Sequence, residues 1–406
     1  MNRIASFTTS RPASGEAPFA LSEIFFSRTD DKGVILAANS VFWRVTGYEW
    51  QELCGTPHNV VRHPDMPRGV FWLFWDTLKR GKPVGAYVKN KARDGLYYWV
   101  FAIAVPFRDG YLSARIKPTS QTRDRIEDAY AALRKREYDE DLSPEDSADL
   151  LVAQIKQWGH EDYHHFAAFA LNEERTSRDA KLGRAEDKTI TRFREMFAAA
   201  KGLKSATDDL VRNFEATNII PHNMRLIAAR LEPSGGALST LSSNYAAMSH
   251  EMAEWFEDHV VGAGSNFSMI ENNVNDNMCL EAVIRILGEC TNQLDGDADS
   301  LGTGDPAAER QYLEDLKTSM TDRSCQGLED LEVEAQRILD ACRRMHRFML
   351  GLTTTKSMCN TESAHHTVDV DSLHDVIAQL NDAQQHIFQA LAQIEKRAHK
   401  IQELAG

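Results

Sequence analysis

Short β-like runs fill the first 120 residues of this chain and then stop. That change of texture limits its possible folds more than any other feature. The runs "GVILAAN" (33–39), "GAYVKNKARDGLYYWVFAIAVP" (85–106) and "YLSARIKP" (111–118) are rich in β-branched and aromatic residues. The second holds "RDG" between two apolar alternating halves, which predicts a hairpin. Beyond residue 120 the apolar period lengthens, and Ile126, Tyr130 and Leu133 mark one face of a charged helix. Leu373, Leu380, Ile387, Ile394 and Ile401 recur every seven residues. Val376, Ala383, Ala390 and Leu404 fill the companion seam, a bundle or coiled-coil signature over about four heptads. Breaks at 138–146, 230–236, 260–266, 294–305 and 359–366 divide the region into roughly six helices. The expected fold class is α+β, an antiparallel sheet with flanking helices, followed by a mostly α-helical bundle or coiled-coil region.

At 406 residues the chain is long enough for two or three domains. A hydrophobic content of 42% with 26% charged residues marks it as globular. No apolar run approaches the roughly 18–20 residues of a membrane helix. The opening "MNRIASFTTSRPASGEAPFA" lacks the apolar core of a secretory signal and reads as a flexible tail over 1–20. Cys54, Cys279, Cys290, Cys325, Cys342 and Cys359 form no CxxC pair, which fits free thiols in a reducing cytoplasm. Residues 1–120 carry 16 Lys and Arg against 10 Asp and Glu, and the remainder 30 against 50. So acidic a C-terminal part argues against nucleic acid or an anionic membrane as partner.

Chemistry concentrates in "HNVVRHPDMPRGVFWLFW", His58 to Trp75. Titratable groups crowd around two prolines, and a dense aromatic run follows at once. Such a stretch either turns into an ordinary buried helix or lines a pocket for a flat ligand with polar edges. Elsewhere "WGHEDYHHF" places His160 and His164 at i, i+4, but no paired carboxylate or cysteine at metal-ligand spacing supports a site, so they are expected at the surface or within the bundle. No dinucleotide-binding glycine motif, phosphate loop or nucleophile elbow appears, and the chain is not expected to be an enzyme.

Residues 21–118 resemble a PAS domain. "TDDKGVILAANSVFWRVTGYEWQELCGTPHNVVRHPDMP" is similar to the first half of that fold, and "NKARDGLYYWVFAIAVP" to its later hairpin. Within that family "PHNVVRHPDMP" is similar to the aerotaxis-receptor type, which binds FAD non-covalently. The resemblance implies a cofactor site built from Asn39, His58, Arg62, His63, Asp65, Trp75, Asn90 and Trp99. Asn90 falls where flavin-binding PAS domains place an amide at the ring edge. Arg62 has the planar fork that suits a phosphate, His63 can donate or carry charge near neutral pH, and Asp65 would orient either one. Trp75 and Trp99 would offer flat faces, and Asn39 would cap the first helix or face the ligand. Packing alternatives stand beside these roles: "HPDMP" as a rigid turn, Trp72 and Phe74 as core, Trp99 as plain strand core. Aligned with light-sensing LOV domains, His58 takes the place of the photoreactive cysteine and Cys54 lies four residues earlier. Redox sensing is therefore expected rather than adduct chemistry.

Further along, "NIIPHNMRLIAARLEPSGGALSTLSSNYAAMSHEM" (218–252) faintly resembles the tip of the chemoreceptor signalling hairpin, although "EPSGG" interrupts where the receptor helix would continue. The resemblances imply a tail at 1–20, a PAS sensor at 21–120, a helical linker at 121–140 and an all-helical output domain at 141–406. The expected protein is a cytoplasmic FAD-binding redox, oxygen or energy sensor. It would form a homodimer, with the heptad stripe shared between subunits or, alternatively, covered by the chain's other helices in an intramolecular bundle, and relay to a downstream signalling protein such as a chemotaxis kinase or adaptor. The alternative is a scaffold or adaptor whose PAS module only dimerises and holds no cofactor.

Overall fold

The computed structural model describes residues 11–217, 220–231, 236, 239–244, 246–247, 250–251, 266–296, 305–363 and 370–406. Five strands, β1 (Phe25–Asp30), β2 (Ile35–Ala38), β3 (Val84–Lys91), β4 (Tyr97–Phe107) and β5 (Gly110–Ile116), form one antiparallel sheet in the order β2-β1-β5-β4-β3. Between β2 and β3 lie α1 (Ser40–Thr46), α2 (Trp50–Leu53), a 3-10 turn (His58–Val61) and α3 (Arg68–Lys79). The hairpin expected at "RDG" is the β3–β4 pair, in register from Val84–Ala104 to Lys91–Tyr97. No strand follows β5 among the described residues.

Because side chains alternate along a strand, the register sorts residues onto two faces. Asn90, Ala102, Ala104, Ser113 and Arg115 share one face. Tyr87, Trp99, Phe101, Ile103, Leu112 and Ala114 share the other. The second face is apolar and needs a cover. Helices α4 (Gln121–Asp139), α5 (Pro144–Gln157) and α6 (Tyr163–Lys181) belong to the same compact unit. Tyr163 donates to the Gly85 carbonyl at 3.1 Å, and Tyr130 lies 6.4 Å from the Trp99 ring.

Two buried carboxylates fix these helices. Pro67 precedes α3 and offers no side-chain cap, so the first amides of α3 need another acceptor. Glu137, on α4, supplies it: its Oε1 accepts from the amides of Arg68 (2.6 Å) and Gly69 (3.3 Å) and from the Ser147 hydroxyl (2.5 Å). Glu174, on α6, holds the segment that leads into α4, accepting from the Thr119 amide (2.5 Å), the Ser120 amide (3.0 Å) and the Tyr87 hydroxyl (2.8 Å).

Residues 11–20 differ from the loose tail expected over 1–20. Ala17 donates to the Tyr97 carbonyl at 2.7 Å, Phe19 meets Phe25 edge-on at 5.0 Å, and Arg11 pairs with Asp94 at 2.6 Å. Two apolar side chains, Ala17 and Phe19, give this stretch a reason to bury itself. Residues 121–140 likewise differ from a free linker, since Ile126, Tyr130, Leu133 and Glu137 of α4 are all buried.

The chain divides into two compact units, residues 1–190 with 276–325 and residues 191–275 with 326–406. The first extends beyond the boundary expected at 120, because the apolar outer sheet face recruits the helices that follow. The second contains most of α7 (Lys188–Thr217), α8 (Ile220–Leu231), α11 (Val370–Ala405), and parts of the long helices α9 (Asn266–Gly296) and α10 (Pro306–Ser363). The breaks expected near 138–146, 230–236 and 294–305 coincide with helix ends. Those at 260–266 and 359–366 lie wholly or partly outside the described residues, as does much of the segment compared with the chemoreceptor hairpin.

In the second unit Leu380, Ile387, Ile394 and Ile401 are at most 2% exposed within the single chain. Helix α11 packs on α8, and Gln402 reaches Gln336 of α10 at 3.2 Å. The described part of the heptad stripe is thus covered within the chain. Leu373 falls among residues whose side chains are not described.

Gly69 marks the closest helix crossing of the first unit. A Cβ there would come within 2.5 Å of the Ser147 carbonyl carbon and 2.6 Å of its hydroxyl oxygen. Gly69→Ala is expected to destabilise the protein by about 1–3 kcal/mol. Urea unfolding of the variant will show this as a lower midpoint at unchanged slope.

Candidate functional site

Small side chains on the inner sheet face leave room. Ala102 and Ala104 on β4 and Ser113 on β5 are neighbours in the register, and nothing bulky rises from them. Over this floor stand the aromatic residues of α3. Phe71, Phe74 and Trp75 recur at three- and four-residue spacing, so they share one side of the helix. Together they enclose a cavity of about 300 Å³. Trp75 meets Tyr111 of β5 edge-on at 5.3 Å. Gly33, in the β1–β2 turn at φ +79°, lets the Trp75 ring approach: a Cβ there would lie 3.1 Å from the ring.

Of the residues singled out from the sequence, four line this cavity: His58, Arg62, Trp75 and Asn90. Asn90 is 4% exposed, and its side-chain amide has no hydrogen-bond partner among the described residues. A buried amide left open toward a cavity is expensive unless something else satisfies it. Arg62 lies at the half-buried rim, its guanidinium 4.0 Å over the Phe71 ring and 3.3 Å from the Met66 carbonyl. Burial holds its pKa below the usual arginine value.

The other four lie elsewhere. Trp99 is on the sheet face opposite Ala102, with the Arg123 guanidinium 5.4 Å over its ring and the Tyr130 ring 6.4 Å away at a tilt, and it does not line the cavity. Asn39 is spent on structure: Oδ1 accepts from the amides of Phe26 (3.0 Å) and Phe42 (3.3 Å), and Nδ2 donates to the Ile24 carbonyl at 2.7 Å. His63 and Asp65 run along the outside of β3. The His63 amide donates to the Lys89 carbonyl at 3.3 Å, and Asp65 pairs with Lys89 at 2.6 Å. That hydrogen bond pulls the Asp65 carboxyl below its ordinary value. "RHPDMP" therefore acts partly as a cover for the free edge of β3, with an isolated bridge joining Arg62 to Asn90. His160 and His164 do not converge. His164 pairs with Asp276 at 2.5 Å, while His160 packs against Phe166 and Phe169.

Arg115 is the important residue that the sequence reasoning missed. It rises from the middle of the cavity floor, 5% exposed, donating to the Ser27 hydroxyl at 3.1 Å and to His58 Nε2 at 2.6 Å. The alternation Tyr111, Ser113, Arg115 on β5 is the signal that would have found it, since all three must face the same way. Burial lowers Arg115 to about 10. Burial and the neighbouring guanidinium together drive His58 well below the ordinary imidazole value. His58 is thus a neutral acceptor at Nε2.

The sequence profile of the PAS fold family matches residues 35–112. This segment is a PAS domain. The PAS-bearing part is 44% identical over 121 residues to the aerotaxis receptor of Escherichia coli (strain K12), covering 29% of this chain and 24% of the receptor. It is 32% identical over 79 residues to the nitrogen fixation regulatory protein of Klebsiella pneumoniae, covering 20% of this chain and 16% of that protein. The chain thus spans a quarter or less of the length of either relative. Among solved structures, the light state of the blue-light photoreceptor Aureochrome1 LOV superposes with a TM-score of 0.24 at 15% identity, over 27% of this chain and 91% of that one. No helix among the described residues is long and apolar enough to cross a membrane.

The lowered His58 pKa sets a pH dependence. Between the unfolded imidazole value of about 6.5 and the lower folded one, the unfolded chain binds a proton that the PAS domain does not. Stability is therefore expected to fall as pH drops below about 6.5, and His58→Gln is expected to remove that component. Urea midpoints of wild type and variant, compared between mildly acidic and neutral buffer, measure it.

Proposed function

We propose that this protein is a sensor whose PAS cavity binds the flavin ring of FAD and whose helical part relays the state of that ring. The observation that carries the proposal is the cavity itself: an aromatic-walled space of about 300 Å³ with the buried Asn90 amide on its lining. Its volume, at the lower end of small-molecule sites, suits a ring system rather than a whole dinucleotide. The ribityl and phosphate parts would then leave at the rim, where Arg62 has no ion pair among the described residues and Lys32 is exposed. The 44% identity to the aerotaxis receptor over 121 residues supports a ligand of this kind. When bound, the flavin supplies reversible electron uptake that changes its charge and hydrogen bonding. Asn90 holds the ring edge, and Trp75 and Phe71 exclude water. A change at the ring reaches α3, whose first turn is held by Glu137 of α4, and α4 is held in turn by Glu174 of α6. Capping in series gives the relay a path of polar bonds through the first unit.

We place the sensor in the cytoplasm, acting without catalysis, with a homodimer and a downstream signalling protein such as a chemotaxis kinase or adaptor as partners. Because the heptad stripe is buried in the chain, a dimer would have to use another surface.

The absorbance spectrum of purified protein, oxidised and then reduced, tests the cofactor. Bleachable flavin bands are expected. Colourless protein from flavin-replete cells would favour an adaptor with an empty cavity, and a haem band would replace the cofactor altogether. Asn90→Ala and Arg62→Ala are each expected to lower flavin retention by about tenfold, one lost charge-assisted or buried hydrogen bond, with unchanged circular dichroism. Since His58 holds the position of the LOV cysteine and Cys54 is exposed and away from the cavity lining, blue light is expected to leave no long-lived adduct. A reversible adduct spectrum in oxidised protein would overturn that.

A further inference from the structure

Arg115 is difficult to explain as a structural residue. It stands on a central strand, flanked in the register by Ala102 and Phe25, so no neighbouring side chain neutralises it. Among the described residues no carboxylate pairs with it, and only Ser27 and His58 take its hydrogen bonds. A guanidinium has five N–H groups, so most of its donor capacity is left over. The two other ionisable groups beside it, Tyr98 and Cys290, are both pushed upward by burial, the thiol to about 12, and carry no counter-charge near neutral pH. Phe42, 5.5 Å below the guanidinium, offers only a ring face.

The cavity lining repeats the pattern. It contains Lys32, Arg62 and Arg115 and not one Asp or Glu, in a chain whose net charge is −14. A buried cation without a partner costs several kcal/mol. Such a cost persists where an occupant repays it.

We propose that Arg115 is the charge-selecting residue of the cavity, reserved for an anionic or electron-rich acceptor edge of a planar ligand that lies opposite the Asn90 amide. The proposal deepens the flavin reading and rests on it for the identity of the ligand, but the charge argument stands on the cavity alone. Arg115 supplies the remaining N–H donors, and His58 accepts from Nη2 and keeps the fork turned toward the space above Ala102. A ligand with the same flat shape and an apolar edge would leave those donors unpaired and be rejected. His58 is therefore a positioning residue, and Arg115 the residue that touches the ligand.

The test separates charge from shape in the full-length chain. Arg115→Met removes the cation and keeps the length of the side chain, and Arg115→Lys keeps the charge without the fork. Two quantities are read: the thermal midpoint of protein stripped of small molecules, and the retention of added FAD. For Arg115→Met the stripped protein is expected to melt higher than wild type, because an unpaired buried charge is gone, while FAD affinity falls by about tenfold or more. Arg115→Lys is expected to fall between the two in FAD affinity. A lower midpoint or a misfolded chain for Arg115→Met would make Arg115 a structural residue and overturn the proposal. FAD held as tightly by Arg115→Met as by wild type would overturn it equally. If wild type itself ignores FAD while stripped Arg115→Met still melts higher, the flavin reading fails and the charge-selecting role of Arg115 stands. If neither effect appears, both fail.

Discussion

Strand β4 is buried on both faces, and the rest of the PAS domain follows from how it divides its side chains. Even-numbered positions Ala102 and Ala104 are small and open a cavity. Odd-numbered positions Trp99, Phe101 and Ile103 are large and close the opposite face under helices. A sheet with one large apolar face cannot end a domain at its last strand, because that face would remain in water at roughly 25 cal/mol per Å². Helices α4 to α6 are therefore part of the folded unit that contains the PAS domain. The same alternation puts Arg115, Ser113 and Asn90 along the cavity.

The helices over the sheet are joined by a less common device. Pro67 cannot cap α3 with a side chain, and Ser120 makes no side-chain cap for α4. A buried glutamate from another helix accepts the first amides of α3, and another accepts the amides of the two residues that lead into α4. A cap supplied from outside costs nothing extra in backbone hydrogen bonds but makes each helix end sensitive to its neighbour's position. The cavity wall, α3, is anchored to α4, and α4 to α6, so that a small displacement at the cavity meets a connected set of bonds rather than independent helices.

The aromatic run after "RHPDMP" shows how one stretch serves two ends. Its first half pairs with the edge of β3, through Arg62 to Asn90 and Asp65 to Lys89. Its second half forms the roof of the cavity. Covering the β3 edge and roofing the ligand space are one piece of chain, and the two prolines fix the turn between them.

Much of this was legible in the sequence. The β3–β4 hairpin followed from alternation around "RDG", the helical remainder from heptads and breaks, and the PAS fold from motif strings that the alternating strands then bore out. Asn90, His58, Arg62 and Trp75, singled out by the PAS resemblance, all line the cavity. What the sequence alone determined, then, was the kind of each element and the phase of its side chains. Tertiary structure decided which phase faced the cavity: it sent Trp99 outward, used Asn39 up in three backbone hydrogen bonds, and set His63 and Asp65 on an edge. It brought Arg115, 57 residues from His58, to the centre of the site, and it buried the heptad stripe inside one chain. These outcomes depend on partners distant in sequence, because burial and hydrogen-bond satisfaction are fixed by what packs against a residue and not by what precedes or follows it.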